Sequence, residues 1–295
     1  MIQAQQVTIQ KGKKNIVRDA SFCIQPGQIT VAIGKNGAGK STLLEALTGR
    51  NTCQQGQIIW DKQQMSSLSL QELAQRRAVL SQKVEVSFPI PVRELVEMGC
   101  YAASVPLTQK ETQNIVRKAL SEVNMLNFRV RDFRTLSGGE QKRVLLAKAI
   151  AQLHSGGWTG GHKYIFLDEP TASLDIQQQF KLLKLVKRMV QHRKVGVFAV
   201  LHDINLAAQF ADQILLLKNG YIRYQGSPAE VLTTEKLKAG MGINTLVHRH
   251  PVFDCPYVLS LPDPIEQRHF VLPHLGHPRS ASPLGDNLNQ KSQYG

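Results

Sequence analysis

A glycine-rich segment between an apolar run and a helical pattern limits the possible folds of this chain more than any other feature. Residues 34–42 read GKNGAGKST and fit the pattern G-x-x-x-x-G-K-[ST] at every fixed position. The run at 29–33 is typical of a strand buried on both faces, and residues 43–49 suit a helix. This order predicts a phosphate-binding loop in an α/β domain with parallel strands.

Each part of this loop suits phosphate. Glycines let successive N–H groups point at phosphate oxygens, and the next helix directs its dipole at the same charge. We expect Lys40 to reach the β- and γ-phosphates and the Ser41 hydroxyl to ligate Mg²⁺. The flanking strand and helix argue against an incidental lysine in a glycine-rich turn. The predicted nucleotide-binding residues here are Gly34, Lys35, Asn36, Gly37, Ala38, Gly39, Lys40, Ser41 and Thr42.

A second apolar run, YIFL at 164–167, ends in the carboxylates Asp168 and Glu169. A carboxylate at the C-terminal edge of a parallel strand lies where such sheets bind ligands. We expect Asp168 to hold Mg²⁺ through its water shell and Glu169 to orient or deprotonate an attacking water. An Asp–Glu pair after an apolar run is common and is weak evidence alone. It supports nucleotide hydrolysis here because the chain also contains the phosphate loop that this reaction requires.

Further motifs make the chain resemble the nucleotide-binding subunits of ATP-binding-cassette (ABC) transporters. Residues 136–141, LSGGEQ, match the signature sequence of that family, and Gln82 fits its glutamine loop. Residues 173–175 fit its D-loop, and His202 fits its switch histidine after the apolar run 195–201. The motifs follow the order of the family between residues 34 and 202, and the resemblance extends over residues 1–260.

The resemblance implies a P-loop ATPase fold of the α/β class. The expected parts are a mixed core sheet, an antiparallel β subdomain and a helical subdomain that carries the signature. We assign residues 1–262 to the ATP-binding domain and residues 83–152 to its helical subdomain. Residues 263–295 are rich in Pro, Ser, Asn, Gln and Gly with little periodicity, so we expect a poorly ordered tail.

The resemblance also implies ATP and Mg²⁺ as cofactors and assigns roles to the motif residues. The implied catalytic residues are Glu169, His202 and Gln82, and His202 would contact the γ-phosphate. The implied Mg²⁺ ligands are Ser41, Gln82 and Asp168. Ser137, Gly138 and Gly139 stand directly before a helix, where a hydroxyl, N–H groups and the dipole form a second anion site. A head-to-tail homodimer would place each ATP between the phosphate loop of one chain and the signature of the other.

One position departs from the family pattern. Many members stack adenine on an aromatic residue just before the glycine that corresponds to Gly12. Here Gln10 and Lys11 precede it, and the first 21 positions contain no aromatic residue. Weaker stacking and coverage of the ring by a Lys or Arg stem are both open, and the adenine contacts stay unassigned.

The region after the glutamine loop resembles the ATPases of iron-chelate, haem and cobalamin importers. Phe88, Pro89 and Pro91 suit a rigid apolar contact with a membrane subunit, or local core. The lengthened loop at 154–163 and the ending at 247–259 resemble ATP-binding subunits of hemin importers. The implied function is to energise hemin uptake from the cytoplasmic face of the bacterial inner membrane. The implied partners are two permease subunits and, indirectly, a periplasmic substrate-binding protein.

Two alternatives to this function stay open, and the charge of the chain bears on the second. Residues 1–202 hold 28 Lys and Arg against 14 Asp and Glu, an excess compatible with nucleic acid, an anionic membrane surface or a phosphate ligand. The motifs favour nucleotide phosphates and nearby lipid headgroups, without a nucleic-acid partner. A ferric-siderophore or cobalamin importer is one alternative. A soluble ABC protein acting on DNA or the ribosome is the other, but the chain has one cassette and no heptad stretch.

Three further patterns carry less weight. No apolar run approaches the roughly 20 residues of a membrane-spanning helix, and the first residues lack the pattern of a secretion signal, so we expect a cytoplasmic chain. The four cysteines form no CxxC pair and are interpreted as free thiols. His248 and His250 could share a strand face, but no third ligand is evident nearby, so we assign them no metal or haem role.

Overall fold

The computed structural model describes residues 1–81, 86–156 and 161–262. The strands are β1 (Ile2–Lys11), β2 (Lys14–Ile24), β3 (Ile29–Gly34), β4 (Gln55–Trp60), β5 (Gln63–Gln64), β6 (Arg77–Leu80), β7 (Tyr164–Asp168), β8 (Gly196–Val200), β9 (Gln213–Lys218), β10 (Tyr221–Gly226), β11 (Asn244–Arg249) and β12 (Pro256–Leu261). The α-helices are α1 (Lys40–Leu47), α2 (Leu70–Arg76), α3 (Val92–Glu97), α4 (Gln109–Glu122), α5 (Gly138–Ser155), α6 (Ile176–Arg193), α7 (Ile204–Phe210), α8 (Pro228–Val231) and α9 (Thr234–Met241).

The central sheet has the strand order β10-β9-β3-β8-β7-β6. Strands β9, β3, β8, β7 and β6 run parallel, and β10 pairs antiparallel with β9 at one edge. All residues of β3 and β8 are buried, as the apolar runs predicted. Their alternate side chains enter two different cores: Val31 packs with the helices, and Ala32 faces α1 and the antiparallel strands.

A second sheet, of order β2-β1-β4-β5, is antiparallel throughout. Its inward residues, together with α1 and one face of the central sheet, form a core around the buried Trp60. The Trp60 ring meets Tyr164 edge-on at 5.1 Å between centroids, which ties this sheet to β7. This sheet supplies the predicted antiparallel part of the fold.

Helices α3, α4 and α5 form the helical part that carries the signature residues. Both α4 and α5 begin with a capping box, in Thr108–Glu111 and Ser137–Glu140 respectively. The far end of α5 is tied to the central sheet, because Gln152 donates hydrogen bonds from Nε2 to the carbonyls of Ala74 and Arg77. The predicted fold class is confirmed: a mixed core sheet, an antiparallel sheet and a helical region.

The C-terminal hairpin of β11 and β12 is joined to the domain through Asn205 of α7, which exchanges two hydrogen bonds with the backbone of Val258. Most of the ending at 247–259 lies in this hairpin. The boundaries 1–262 and 83–152 stay predictions, and the predicted tail at 263–295 lies outside the described residues. None of the described helices combines the length and apolarity needed to cross a membrane.

Candidate nucleotide-binding and hydrolysis site

The phosphate loop joins the end of β3 at Gly34 to the start of α1 at Lys40, as predicted. Two of its glycines could not be replaced without moving backbone. Gly34 has φ +148°, and an added Cβ would lie 2.4 Å from the carbonyl oxygen of Leu217. Gly39 has φ +104°, and its Cβ would lie 2.9 Å from the carbonyl oxygen of Ile16. The loop therefore passes close to β9 and β2 with a backbone that only glycine adopts readily.

Lys40 points its ammonium back into this loop. Its Nζ donates to the carbonyls of Gly34 at 2.7 Å and Lys35 at 3.0 Å, and only 5% of the residue is exposed. Burial lowers the pKa of Lys40, while the nearby carboxylates of Glu169 and Asp168 act in the opposite direction. The cation thus sits where the loop and the predicted catalytic carboxylates meet, and phosphate oxygens are better partners for it than carbonyls.

Ser41 and Asp168 are brought into direct contact. The Ser41 hydroxyl donates to Oδ1 of Asp168 at 3.0 Å. Burial raises the pKa of Asp168, and the neighbouring charges of Glu169 and Glu45 raise it further, against the effect of this hydrogen bond. Mg²⁺ prefers oxygen ligands, and the Ser41 hydroxyl and the Asp168 carboxylate supply two of them beside other acidic side chains. These two residues therefore fit this ion.

Glu169 and His202 form the second contact. Oε1 of Glu169 lies 2.5 Å from Nε2 of His202. Glu169 follows β7 and His202 follows β8, and these neighbouring parallel strands end at the same edge of the sheet. Glu169 has φ +48°, a left-handed conformation that is uncommon for a non-glycine residue. The carboxylate is mostly buried and the histidine is half exposed, so this pair lines an open surface beside the phosphate loop.

The signature residues lie at the N-terminus of α5. The Ser137 hydroxyl donates to Oε2 of Glu140 at 3.0 Å and accepts from the Glu140 N–H. Ser137 and Gly138 are exposed, and Gly139 packs against the side chain of Gln178 from α6. Within the described part of the chain, these residues contact Glu140 of α5 and Gln178 of α6. An exposed helix N-terminus of this kind is suited to binding an anion, and the role of these residues stays a prediction.

The structure thus brings together Lys40, Ser41, Asp168, Glu169 and His202, as the motifs predicted. Gln82 lies outside the described residues. The individual roles of these side chains stay predictions.

Sequence reasoning missed one basic residue near this site. Lys142 of α5 is close enough to Asp168 and Glu169 for both carboxylates to oppose the lowering of its pKa by burial. Its position five residues after Ser137 gave no such signal. Lys11, in the region where many family members carry the adenine-stacking aromatic residue, forms an ion pair with Glu45 of α1 at 2.7 Å. The adenine contacts remain unassigned.

Comparison with known proteins places this site in a family. Residues 17–172 match the family described as ABC transporter. The chain therefore belongs to the ABC transporter family, and it is an ATP-binding and ATP-hydrolysing subunit of that class.

Its relatives include curated proteins that share most of its length. It is 39% identical over 262 residues to the hemin import ATP-binding protein HmuV of Hahella chejuensis, covering 88% of this chain and 99% of the relative. The protein of the same name from Rhizobium meliloti is 37% identical, with 88% and 98% covered. That from Deinococcus radiodurans is 39% identical, with 84% and 92% covered.

Solved structures share the fold at lower identity. One is a metal-chelate type ABC transporter in an inward-facing conformation, with a TM-score of 0.75, 24% identity, and 88% and 97% of the two chains covered. Another is the dimeric ATP-binding cassette MJ0796 bound to ADP and phosphate, with a TM-score of 0.66, 24% identity, and 77% and 98% covered. Both comparisons support the ABC ATPase fold.

Proposed function

We propose that this chain energises hemin uptake across a bacterial inner membrane. The observation that carries the proposal is the set of relatives named hemin import ATP-binding proteins. Those of Hahella, Rhizobium and Bartonella align over 97–99% of their own lengths at 37–39% identity. The likeness therefore extends beyond the ATPase motifs to the helical region and the C-terminal hairpin. These parts would distinguish one importer ATPase from another.

In this function the loop N–H groups and Lys40 hold the phosphates of ATP. Ser41, Asp168 and Gln82 would hold Mg²⁺, which neutralises phosphate charge when bound. Glu169 accepts the proton of the attacking water, and His202 orients that carboxylate while contacting the γ-phosphate. The 2.5 Å contact between Glu169 and His202 supports this division of roles, because it fixes the base beside the loop.

The signature supports a homodimer. Ser137, Gly138 and Gly139 present an exposed helix N-terminus, so a second chain in head-to-tail orientation would bring them to the ATP held by the first. Two permease subunits would bind this dimer at the cytoplasmic face of the inner membrane. A periplasmic substrate-binding protein would act on it indirectly through them. No nucleic acid takes part in this function.

Growth of a host that lacks the gene tests the cargo. Haem is the sole iron source in one set of cultures, and a ferric siderophore is the source in a parallel set. We expect growth to fail on haem alone and to return with the wild-type gene but not with the Glu169→Gln variant. If the host grows normally on haem but fails to grow on the siderophore, the cargo is a ferric chelate other than hemin. Normal growth on both would contradict an importer role.

A further inference from the structure

A basic groove lies between the end of α4, α5 and the exposed face of α6. It has a volume of about 530 Å³. Five cationic side chains line it, and its floor includes the buried Leu185. Among the described residues that line it there is no carboxylate. The cations of this basic groove are Arg143, Lys181, Lys184, Lys187 and Arg188.

The spacing of these residues concentrates the charge. Lys181, Lys184 and Arg188 are exposed and stand at i, i+3 and i+7 of α6, so they share one helix face over about 10 Å. Like charges at this spacing destabilise a helix. Glu122, which lines the adjoining cavity, is already paired with Arg193 and His154. The described lining therefore leaves this charge without a neutralising acid.

Arg143 supplies a second, independent observation. Its Nη1 donates to Oε1 of Gln178 at 2.9 Å, which fixes the guanidinium from the α5 side. Its Nε is buried and has no hydrogen-bond partner within the described residues. Nε itself has almost no exposed surface, so a ligand in the groove would meet the other guanidinium nitrogens, which suit anionic oxygens.

We propose that the basic groove binds a small molecule with several phosphate groups. Its volume lies in the range of small-molecule sites. Multiple cations spaced over about 10 Å suit phosphates spread along one ligand, and the planar guanidinium of Arg143 suits phosphate oxygens. The ligand is either an inorganic polyphosphate or a phosphorylated metabolite. The site does not depend on hemin as the cargo.

Calorimetric titration of the full chain with inorganic tripolyphosphate tests this site. A saturating non-hydrolysable ATP analogue with Mg²⁺ fills the phosphate loop in every titration. The groove variant carries Lys181→Gln, Lys184→Gln and Arg188→Gln. The matched control carries Lys62→Gln, Lys110→Gln and Arg117→Gln, which removes the same charge outside the groove. Thermal unfolding and basal ATP hydrolysis check that both variants fold.

We expect one tripolyphosphate per chain in the wild type and the control. In the groove variant we expect the Kd to rise at least about tenfold, equivalent to about 1.4 kcal/mol. An equal loss of tripolyphosphate affinity in both variants would show that only the net charge of the chain matters, and it would overturn the proposal. Absence of binding to the wild type would also overturn it, as would capture of single-stranded RNA or phosphatidylglycerol vesicles without tripolyphosphate binding.

A parallel titration with fructose 1,6-bisphosphate separates the two ligand sources. Tighter binding of the bisphosphate would identify a phosphorylated metabolite, and tighter binding of tripolyphosphate an inorganic polyphosphate. Either result, lost in the groove variant alone, supports the site.

Discussion

Nε2 of His202 lies 2.5 Å from Oε1 of Glu169, although the two residues are 33 positions apart in the chain. The contact exists because β7 and β8 are adjacent parallel strands that end at one edge of the sheet. It gives the proposed base a fixed orientation near Lys40. The negative charge of the same carboxylate acts to raise the pKa of the Lys40 ammonium. The proposed hydrolysis step is thus built from the ends of neighbouring strands.

Replacing the proposed base should separate binding from hydrolysis. In Glu169→Gln we expect ATP turnover to fall by about 10²- to 10⁴-fold, the usual contribution of a general base, while ATP binding is kept. The amide keeps the shape of the side chain but cannot accept the proton. Steady-state turnover and equilibrium nucleotide binding measure the two effects. Glu235→Gln, at an exposed position on α9, is the control. Undiminished turnover would remove Glu169 from this role.

The contact with His202 predicts coupled effects. His202→Ala should lower kcat on the order of tenfold, because a lost orienting hydrogen bond is worth about 1 kcal/mol or somewhat more. In a Glu169→Gln background the same change should lower kcat by a smaller factor, since only the contact with the γ-phosphate is then lost. A kinetic double-mutant cycle measures the coupling. Fully additive losses would mean that His202 acts independently of Glu169.

The parts of the site that the sequence predicted are local in the chain. The phosphate loop, from Gly34 to Ser41, lies between one strand and one helix, and Asp168 ends a strand, so short patterns locate them. The pairing of His202 with Glu169 depends on which strands are neighbours. The approach of Lys142 to the same carboxylates depends on how α5 packs on the sheet. Such contacts depend on tertiary packing, which the spacing of residues along the sequence does not predict.

The glycine that begins the phosphate loop should resist substitution. In Gly34→Ala the new Cβ would lie 2.4 Å from the carbonyl oxygen of Leu217, a backbone atom that cannot turn aside. We expect a loss of about 2 kcal/mol or more in the free energy of unfolding, with weakened ATP binding. In the control Gly12→Ala the added Cβ meets nothing within 4 Å. The only loss in the free energy of unfolding should then come from placing an alanine at a positive φ. Urea unfolding compares the two, and equal losses would contradict the steric explanation.

Asp61 predicts a pH-dependent stability. Burial raises the pKa of Asp61, but hydrogen bonds from the N-terminal ammonium of Met1 and from His162 hold it below its ordinary value. A depressed folded pKa gives stability that is present above the unfolded pKa of about 3.9 and is lost as pH falls through the folded value. Asp61→Asn should therefore lose about 1–2 kcal/mol at pH 7, with the difference from the wild type shrinking below about pH 4.

Urea unfolding between pH 7 and pH 3 measures this difference. Asp254→Asn removes a carboxylate from an exposed ion pair with Arg249, and its stability should match the wild type within about 0.5 kcal/mol. A pH-independent loss in Asp61→Asn would show that the ionisation of Asp61 does not contribute to stability over this pH range.

The exposed signature predicts rescue between two inactive chains. Ser137→Arg blocks the signature and Lys40→Ala disables the phosphate loop, so each homodimer should be inactive. In a mixed dimer, the intact loop of the first chain meets the intact signature of the second, which restores one of two sites. With random pairing and independent sites, an equal mixture should recover about a quarter of wild-type turnover. Mixing Ser137→Arg with a chain that carries both changes should recover none. If nucleotide-dependent mixed dimers form but stay inactive, or do not form at all, the head-to-tail arrangement is wrong.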